Sequence, residues 1–522
     1  MYNVHMMYNV HSEPVLIVGG GLTGLTTALF LRHHDVPVVL VERRDTTSPQ
    51  PKARRINIRT MELFRQLGIE TVVTEAARGL SAHQAMAVGP DLARAERLPF
   101  TLPGGLPDWD AITPSAACLC AQDTLEPVLR ELAADRGGDI RFGVECVDFS
   151  SDATGVTATL RRGSARSERL RAAYLIAADG ADSPIRRRLG IERGGRGTLG
   201  RAVNVYFRAD LSELVRGREF NLCQIENDRA PGAFASVDGS QRWIFTSSAA
   251  VDRPAEDWPD LLRAAIGVPD IDVEVLSVLR WEPGMFVANR FRSGRVFLAG
   301  DAAHVMPPYA AAGANTGIAD GHNLAWKLAM VLRGDAPADL LDSYDAERRP
   351  IGWYIAEQSS IRTANLRTMS HESSDGTPLA DPLALILGTR YPAGAFVDDG
   401  SPHTMARLDL TGRPGTRLPH RFLPDGRSTL DLVDTEFVLF TGPDGQPWHD
   451  CGQPVPLRRT TMDESWCETV AIDTTGALLV RPDQTVAWRA RTAAAHPGRA
   501  LGAALVRATG GRPVATLDLN IS

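Results

Sequence analysis

Residues 294–328 read GRVFLAGDAAHVMPPYAAAGANTGIADGHNLAWKL. The apolar run at 296–299 predicts a short buried parallel strand, and Asp301 follows it directly. Two prolines at 307–308 then favour an extended loop, because proline fixes φ and restricts the residue before it. From about Thr316 onward, apolar residues recur with the period of a helix. The stretch therefore predicts a strand, an acid at its carboxyl end, a loop of small residues and a helix.

This pattern suits a flat ligand that lies against the backbone. The first turn of a helix offers free N–H groups and a partial positive charge to an electron-rich edge of such a ligand. A flavin ring, which becomes anionic on reduction, is a ligand of this kind. The spacing alone also fits an ordinary strand–loop–helix crossover.

A second motif begins near the N-terminus. The apolar residues 14–18 run into GGGLTG at 19–24, a G-x-G-x-x-G sequence, and a helical pattern then leads to a second apolar run at 38–41. This unit has the length of a βαβ dinucleotide-binding fold, and Glu42 stands where an acid binds the ribose hydroxyls of an adenosine. The motif predicts FAD or NAD, and it disfavours NADP because a carboxylate repels a 2′-phosphate.

A third segment repeats the combination of strand and acid. The apolar residues 174–177 are followed by Asp179, as the run at 296–299 is followed by Asp301. Neighbouring parallel strands end at the same edge of a sheet, so both acids are expected at the edge where α/β proteins bind ligands.

Cationic residues near these motifs have two interpretations. Lys52, Arg54 and Arg55 either steady a pyrophosphate or ribityl chain, or they are exposed loop charges. The three arginines at 186–188 most simply form an exposed helix face, with one of them in reach of a phosphate. His304, close to the acid motif, is interpreted as structural and not catalytic.

The region 200–285 is mostly β in pattern and would supply a sheet that covers the site. Strands are predicted at 202–207, 234–237, 242–245 and 273–279. Aromatic and amide side chains at alternate positions suit the lining of a site for a second ligand, although ordinary core and surface positions show the same pattern. The candidate substrate residues are Asn204, Tyr206, Gln224, Phe234 and Trp243.

The composition excludes several classes of protein. A net charge of -7 gives no support for binding to nucleic acid or to an anionic membrane. No apolar run is long enough to span a bilayer. Secretion is not expected, because the start of the sequence shows no basic segment followed by an apolar one. The six cysteines include no Cys-x-x-Cys pair, so neither a metal site nor a dithiol is indicated and a reducing cytoplasm is expected.

Taken in order, the motifs resemble those of the FAD-dependent aromatic hydroxylases related to para-hydroxybenzoate hydroxylase. The chain is most similar to the branch that oxidises polycyclic aromatic polyketides in bacterial antibiotic pathways. The segments that carry the resemblance are VLIVGGGLTGL, PKARRINIRTMEL, CAQDTLEPVL, YLIAADGADSPIRRRLG, GRVFLAGDAAHVMPP, RFLPDGRSTLDL and ALLVRPDQTVAWRA.

The resemblance implies a set of residues that contact FAD. Asp301 is implied on the ribityl chain and Pro308 near the flavin ring, while Asp179 and Arg186 are implied in handling both FAD and the pyridine nucleotide. No catalytic side chain and no metal ligand is implied. The full set of cofactor residues is Gly19, Gly21, Leu22, Thr23, Gly24, Glu42, Arg43, Lys52, Arg54, Gln122, Asp179, Asp301, Pro308, Gly313, Ala314 and Asn315.

A chain of 522 residues is too long for one hydrophobic core. We expect an α/β fold with a para-hydroxybenzoate hydroxylase-like FAD-binding domain, an inserted β-sheet substrate domain and a C-terminal domain that resembles thioredoxin in fold only. Within it, 340–353 is predicted as a helix broken or kinked at Pro350, and 436–440, 468–472 and 477–480 as strands before a helix at about 499–509. The expected divisions are a disordered start at 1–12, the FAD-binding domain at 13–72, 113–190 and 286–367, the substrate domain at 73–112 and 191–285, a linker at 368–400 and the C-terminal domain at 401–522.

The family chemistry implies a monooxygenase. NADPH would dock transiently and reduce FAD, O2 would form a C4a-hydroperoxide on the reduced flavin, and one oxygen would pass to a phenolic ring of a small aromatic substrate. Baeyer–Villiger or other oxidative rearrangement is an alternative on the same scaffold, as is a flavoprotein cyclase or dehydratase without oxygen transfer. The enzyme is expected as a monomer or homodimer.

One departure from the family pattern bears on this chemistry. The family usually has Pro-x-Gly-Gly-x-Gly-x-Asn where residues 308–315 read PYAAAGAN, so Ala310 and Ala311 replace two glycines. Each Cβ restricts the backbone and occupies room near the ring. The replacement is harmless if both residues keep a negative φ.

Overall fold

The computed structural model describes residues 13–99, 107–365, 379–402, 405–453 and 455–511. The expected disordered start at 1–12 and most of the first half of the expected linker lie outside the described residues. The first half of the chain contains β1 (Val15–Val18), α1 (Leu22–His33), β2 (Val38–Glu42), β3 (Arg55–Ile56), α2 (Ile58–Gln66), α3 (Glu70–Ala76), β4 (Ala85–Gly89), β5 (Glu96–Arg97), α4 (Trp109–Ile112), β6 (Cys118–Leu119), α5 (Gln122–Asp135), β7 (Asp139–Phe142), β8 (Val144–Ser151), β9 (Val156–Arg162), β10 (Glu168–Ala172), β11 (Tyr174–Ala177) and α6 (Pro184–Arg188).

The middle of the chain is richer in strands, and two long helices close it. Its elements are β12 (Arg193–Thr198), β13 (Ala202–Arg208), α7 (Ser212–Val215), β14 (Phe220–Ile225), β15 (Gly232–Ser236), β16 (Arg242–Ser247), α8 (Trp258–Ile266), β17 (Glu274–Trp281), β18 (Gly284–Ala288), β19 (Arg292–Ser293), β20 (Val296–Leu298), β21 (His304–Val305), α9 (Ala312–Arg333) and α10 (Asp342–Asn365). The last part contains α11 (Pro382–Leu387), β22 (Phe437–Thr441), α12 (Gln446–His449), β23 (Leu457–Thr461), α13 (Glu464–Thr469), β24 (Ala477–Val480), β25 (Val486–Ala490) and α14 (Pro497–Ala508).

The first sheet has the strand order β19-β20-β11-β1-β2-β7 and is parallel except at β19. Its central strands are buried on both faces, as expected of parallel strands covered by helices. The carboxyl ends of β1, β11 and β20 lie side by side at one edge. The predicted α/β fold is therefore confirmed, and the three motifs meet at this edge.

Helix α9 packs closely along α1 because glycines face threonines across the contact. A Cβ added at Gly317 would lie 2.4 Å from Thr23 Oγ1, and one added at Gly321 would lie 2.2 Å from Thr27 Oγ1. Since real Cβ contacts are never that short, only glycine permits this approach. The packing brings the start of α9 to the edge where β1 ends.

A second sheet of seven strands has the order β17-β13-β16-β15-β14-β4-β5. Strands from 85–97 and from 202–281 therefore share one sheet. Strands are present at each position predicted between residues 202 and 279. One face packs on α8, where Trp258 and Leu262 are fully buried. The other face contacts Ala121, which directly precedes α5, through a small apolar cluster.

The C-terminal region forms a four-stranded sheet in the order β23-β22-β24-β25. The strand predicted at 468–472 is wrong, because that segment ends α13 and enters a turn. Asp463 caps this helix by accepting a hydrogen bond from Trp466 N, and the Trp466 side chain is buried. Of the break or kink predicted at Pro350, the break is absent, since α10 continues through that residue.

The described residues contain neither a helix that could span a membrane nor a group of side chains that could form a metal site. No helix among them has the length and apolar character needed to cross a membrane. In the same part of the chain, no three side chains of His, Cys, Asp or Glu come together as a possible metal site.

Candidate active site

The glycine-rich loop after β1 is built from close backbone approaches. Gly19 has a φ of +115°, and a Cβ added there would lie 2.1 Å from Ala178 O. A Cβ added at Gly24 would lie 1.9 Å from Gly19 O. Both positions therefore require glycine. The loop ends in the buried Leu22, which opens α1, so the free N–H groups of that helix face the sheet edge.

Glu42 stands beside this loop at the end of β2. Its Oε2 accepts a hydrogen bond from Gly20 N at 2.8 Å, and its Oε1 accepts one from Arg44 N at 3.0 Å. The carboxylate is therefore fixed next to the glycine loop. Arg43 is exposed beside it.

Asp179 follows β11 and lies next to Gly19. Its Oδ2 accepts a hydrogen bond from Ile185 N at 3.1 Å, whereas its buried Oδ1 has no partner among the described residues. Burial raises the pKa of this carboxyl. An unpartnered buried oxygen costs free energy, so the geometry leaves an acceptor for a ligand donor at this edge.

Asp301 follows β20 after the turn at Gly300, whose φ is +60°. Surrounding protein raises the pKa of Asp301, with His304 and Lys52 acting in the opposite sense. The side chain is nevertheless exposed to solvent. It therefore lies in a cleft, with protein around it and one open side. A Cβ added at Gly313, in the first turn of α9, would lie 3.9 Å from Asp301 Oδ1. The acid, the Lys52 cation and the helix start therefore meet in one cleft.

A buried ion cluster holds the turn that presents Asp301. Asp320 Oδ2 lies 2.6 Å from His304 Nε2 and accepts a hydrogen bond from Gly300 N at 3.0 Å. Its Oδ1 accepts a hydrogen bond from Arg348 Nε at 2.8 Å. His304 is fully buried in this cluster, in agreement with its interpretation as structural.

Asn315 and Arg54 hold the scaffold around the cleft. Asn315 Oδ1 accepts hydrogen bonds from Asn57 N and Thr60 Oγ1, and its Nδ2 donates to Arg55 O and Ala311 O. The side chain thereby clamps the start of α9 to the segment before α2.

The Arg54 guanidinium donates to the second sheet, at 2.7 Å from Ser236 O and 2.9 Å from Asn221 O. Burial lowers the pKa of Arg54 to about 10. Arg186 is likewise turned inward, with Nη1 at 2.7 Å from Ile191 O, which leaves Arg187 and Arg188 as the exposed members of that run.

The sequence prediction missed Glu126, which lies beneath the glycine loop. Glu126 Oε2 accepts a hydrogen bond from Ser48 N at 2.8 Å, and Oε1 accepts one from Gln122 Nε2 at 2.7 Å. A Cβ added at Gly21 would lie 3.5 Å from Oε1. Burial raises the pKa of Glu126. The signal was the spacing of Gln122 and Glu126, one helical turn apart on α5.

The loop before α9 departs from the conformation that would make its alanines harmless. Ala310 and Ala311 have φ angles of +46° and +54°, so the condition under which the two replacements would be harmless is not met. Pro308 is exposed in this loop, and Gly313 and Ala314 are half-buried where α9 begins.

The second sheet divides the candidate substrate residues between its two faces. Asn204, Tyr206 and Gln224 lie on the face that contacts Ala121, because they alternate with strand residues that pack on α8. The prediction that Phe234 and Trp243 line the substrate site is wrong, because both are core residues. Both are fully buried on the α8 face, where Phe234 packs against Phe245 and Trp243 Nε1 donates to Ala209 O.

Two family models cover most of the chain. An FAD binding domain matches residues 12–359, and the C-terminal domain of aromatic-ring hydroxylases matches residues 411–513. A putative polyketide hydroxylase from Streptomyces halstedii is 40% identical, with 92% of this chain and 94% of that protein covered. Tetracenomycin B2 monooxygenase-dioxygenase from Streptomyces olivaceus is 41% identical, with 95% and 98% covered.

Solved structures agree with these relatives. Aklavinone-11 hydroxylase in a ternary complex with FAD and aklavinone superposes with a TM-score of 0.85 at 34% identity, over 96% of this chain and 100% of that one. The flavin-dependent monooxygenase PieE, in complex with FAD and substrate, gives the same TM-score at 32% identity, over 96% and 99%. The glycine cradle, the free Asp179 oxygen and the open cleft at Asp301 fit FAD. This chain therefore belongs to the family of FAD-dependent aromatic-ring hydroxylases.

Proposed function

We propose that this enzyme hydroxylates a phenolic ring of a polycyclic aromatic polyketide, using O2 and with NADPH as the transient electron donor. The relatives support the substrate class, since their names refer to a polyketide, to tetracenomycin B2 and to aklavinone. NADPH is proposed from the family resemblance.

One structural observation carries the proposal. The glycine loop, Asp179, Asp301 and the start of α9 converge at one sheet edge, and the face of the second sheet that contacts Ala121 lies toward it. When bound there, FAD supplies the electron transfer and the activation of oxygen. The chain need therefore supply binding, orientation and the exclusion of water.

Each part of the cleft has a task in this scheme. Asp179 and Asp301 offer acceptors to hydroxyl groups of the cofactor, and Lys52 offers a cation. The free N–H groups at the start of α9 favour negative charge beside them. The second sheet covers the cleft and orients the aromatic ring, and its apolar contacts around Ala121 keep water out.

The organisation of the chain is part of the proposal. We assign residues 13–72, 113–190 and 286–367 to the FAD-binding domain and 73–112 with 191–285 to the substrate domain, and the shared seven-stranded sheet supports the second grouping. All six cysteines are unpaired, which supports a reducing cytoplasmic location. A monomer or homodimer is proposed.

The decisive experiment measures coupled turnover. The purified, FAD-loaded protein is supplied with NADPH or NADH and with aklavinone or tetracenomycin B2, and the consumed nucleotide, hydrogen peroxide and product mass are measured separately. We expect one substrate to stimulate NADPH oxidation and to gain one oxygen atom. The proposal would be contradicted if no polycyclic aromatic substrate stimulated the oxidation of NADPH or NADH.

A matched pair of variants connects this activity to the cleft. Asp301→Ala removes the acid that faces the cleft, and we expect it to weaken FAD binding and lower turnover. Asp270→Ala removes an exposed acid of the substrate domain and serves as the control.

One observation favours a second candidate reaction. The relative from Streptomyces olivaceus is named a monooxygenase-dioxygenase. Under this alternative the product gains two oxygen atoms, and a Baeyer–Villiger rearrangement would instead place one oxygen in an ester. Product mass and the position of the new carbonyl distinguish these outcomes from simple hydroxylation.

A further inference from the structure

Asn204 is held in one orientation on the face of the second sheet that lies toward the cleft. Its Oδ1 accepts two hydrogen bonds, from Thr246 Oγ1 at 3.0 Å and from Trp281 Nε1 at 3.0 Å. An indole N–H is a donor only, so the amide atom that faces Trp281 must be the oxygen. The orientation of the amide is therefore fixed by chemistry.

The consequence is that the other end of the amide is free. Asn204 Nδ2 carries two N–H donors and has no protein partner in the part of the chain that the structure describes. The residue is only half-buried, and this nitrogen is not among the enclosed, unpartnered polar atoms. Asn204 therefore presents a pair of donors to an accessible space.

The surroundings of this donor pair are those of a ligand site. Asn204 lies opposite Leu279 on β17 and opposite Thr246 on β16, and the next residue on its face, Tyr206, packs in the cluster around Ala121. Trp281 ends β17, and the chain then enters β18, which pairs with β21. Strand β21 leads directly into the prolines at 307–308 and the start of α9. Asn204 thus lies beside the strand end from which the chain passes, through β18 and its partner β21, to the segment that borders the cofactor cleft.

We propose that Asn204 is a specificity-determining residue whose amide donates to a carbonyl or phenolate oxygen of the aromatic substrate. This inference rests on the proposed function and adds a substrate class: ring systems that carry a carbonyl oxygen beside the phenol are preferred over simple phenols. Thr246 and Trp281 are positioning residues, because they act on the substrate only through the Asn204 amide.

The probes for the test differ only in their carbonyl groups. 1-Hydroxyanthraquinone and 1-hydroxyanthracene are titrated into the oxidised, FAD-loaded protein, and the change in flavin absorbance and fluorescence gives a Kd for each. No turnover is needed. We expect the quinone to bind at least about tenfold more tightly, which corresponds to about 1.4 kcal/mol.

The key variant changes only the free end of the side chain. Asn204→Asp keeps an oxygen for Thr246 and Trp281 and replaces the donating NH2 by an acceptor. We expect the preference for the quinone to fall to about twofold or less, because a carboxylate repels the carbonyl oxygen. Asn204→Leu removes the donors without adding charge, and the same loss is expected. Trp281→Phe frees the amide to rotate, and an intermediate loss is expected.

The control is Asn227→Asp, the same chemical change in the exposed loop after β14, where Asn227 Nδ2 donates to Pro90 O. It should keep the full preference. If Asn204→Asp and Asn204→Leu keep the tenfold ratio, or if the unaltered protein binds both probes equally, the role of Asn204 is overturned while the proposed hydroxylation stands. If the loaded protein binds neither probe, the role of Asn204 is overturned, and coupled turnover with aklavinone decides the proposed hydroxylation separately.

Discussion

Ala310 and Ala311 occupy consecutive left-handed backbone positions, with φ angles of +46° and +54°. For a residue with a Cβ this region costs about 1–2 kcal/mol relative to the right-handed helix, whereas glycine enters it freely. The two alanines thus store strain directly before α9, at the loop that borders the cofactor cleft.

Ala311→Gly should release part of this strain. We expect the free energy of unfolding to rise by about 1 kcal/mol, because the removed Cβ no longer opposes the native φ. Urea unfolding of the FAD-free protein measures the change. Ala312→Gly is the matched control, because Ala312 is the first residue of α9. Glycine is a poor helix residue, so this variant should lower the free energy of unfolding by up to about 1 kcal/mol. The same loss from Ala311→Gly would contradict the prediction.

Asp320→Asn should loosen the turn that presents Asp301. Although burial acts to raise the pKa of Asp320, His304 and Arg348 outweigh it and hold the pKa below the usual range. Removing the charge leaves the Arg348 guanidinium buried without its counter-ion, which costs about 3–5 kcal/mol. We expect lower stability together with a weaker hold on FAD, measured as the ratio of flavin to protein absorbance after gel filtration. Asp335→Asn, in an exposed pair with Arg333, should leave both unchanged.

Glu126→Ala should weaken FAD binding without unfolding the protein. The change leaves Ser48 N and Gln122 Nε2 without their acceptor beside the glycine loop, at a cost of about 1–3 kcal/mol for the buried Ser48 N. We expect the Kd of FAD to rise about tenfold or more.

Glu131 lies on the same helix but is exposed. The Glu131→Ala variant should therefore bind FAD with the same affinity as the unaltered protein. Equal affinities for the two variants would remove Glu126 from the site. The measurement is the recovery of flavin fluorescence on dilution.

How far the sequence predicts the site depends on the separation of the interacting residues. The strand, glycine loop and helix at 15–33 follow from local pattern, as does the acid that ends each of the strands β11 and β20. The clamp of Asn315 on Asn57 and Thr60 joins residues more than 250 positions apart, and no local pattern encodes it.

The second sheet shows a different limit. Alternation correctly places Asn204 and Tyr206 on one face, but it does not say which face packs on a helix and which faces the cleft. Phe234 and Trp243 were misassigned for that reason, since an aromatic side chain suits either face. The strand prediction at 468–472 failed because a run of five residues fits the period of a helix as well as that of a strand. The Asp463 side chain caps α13 and so stabilises the helix.

The last prediction concerns the buried contact between α10 and the C-terminal domain. Glu347 Oε1 lies 2.6 Å from Arg481 Nη1, and Glu347 Oε2 lies 2.8 Å from Lys327 Nζ. Burial acts to raise the pKa of Glu347, but Arg481 and Lys327 outweigh it and lower the pKa from 4.5 to about 2. Because the folded pKa is depressed, the stabilisation is complete above pH 4.5 and is lost as the pH falls toward 2.

Glu347→Gln should therefore change the acid limb of the stability curve. At neutral pH we expect the variant to be less stable by about 3–5 kcal/mol, because Lys327 stays buried without a counter-ion and Arg481 keeps only its pair with Asp483. The gap between the two proteins should shrink by up to about 3 kcal/mol as the pH falls from 4.5 toward 2. Urea unfolding followed by tryptophan fluorescence measures this gap, and the exposed Glu131→Gln serves as the control. A gap that stays constant down to pH 3 would show that Glu347 is not the group whose protonation weakens this contact.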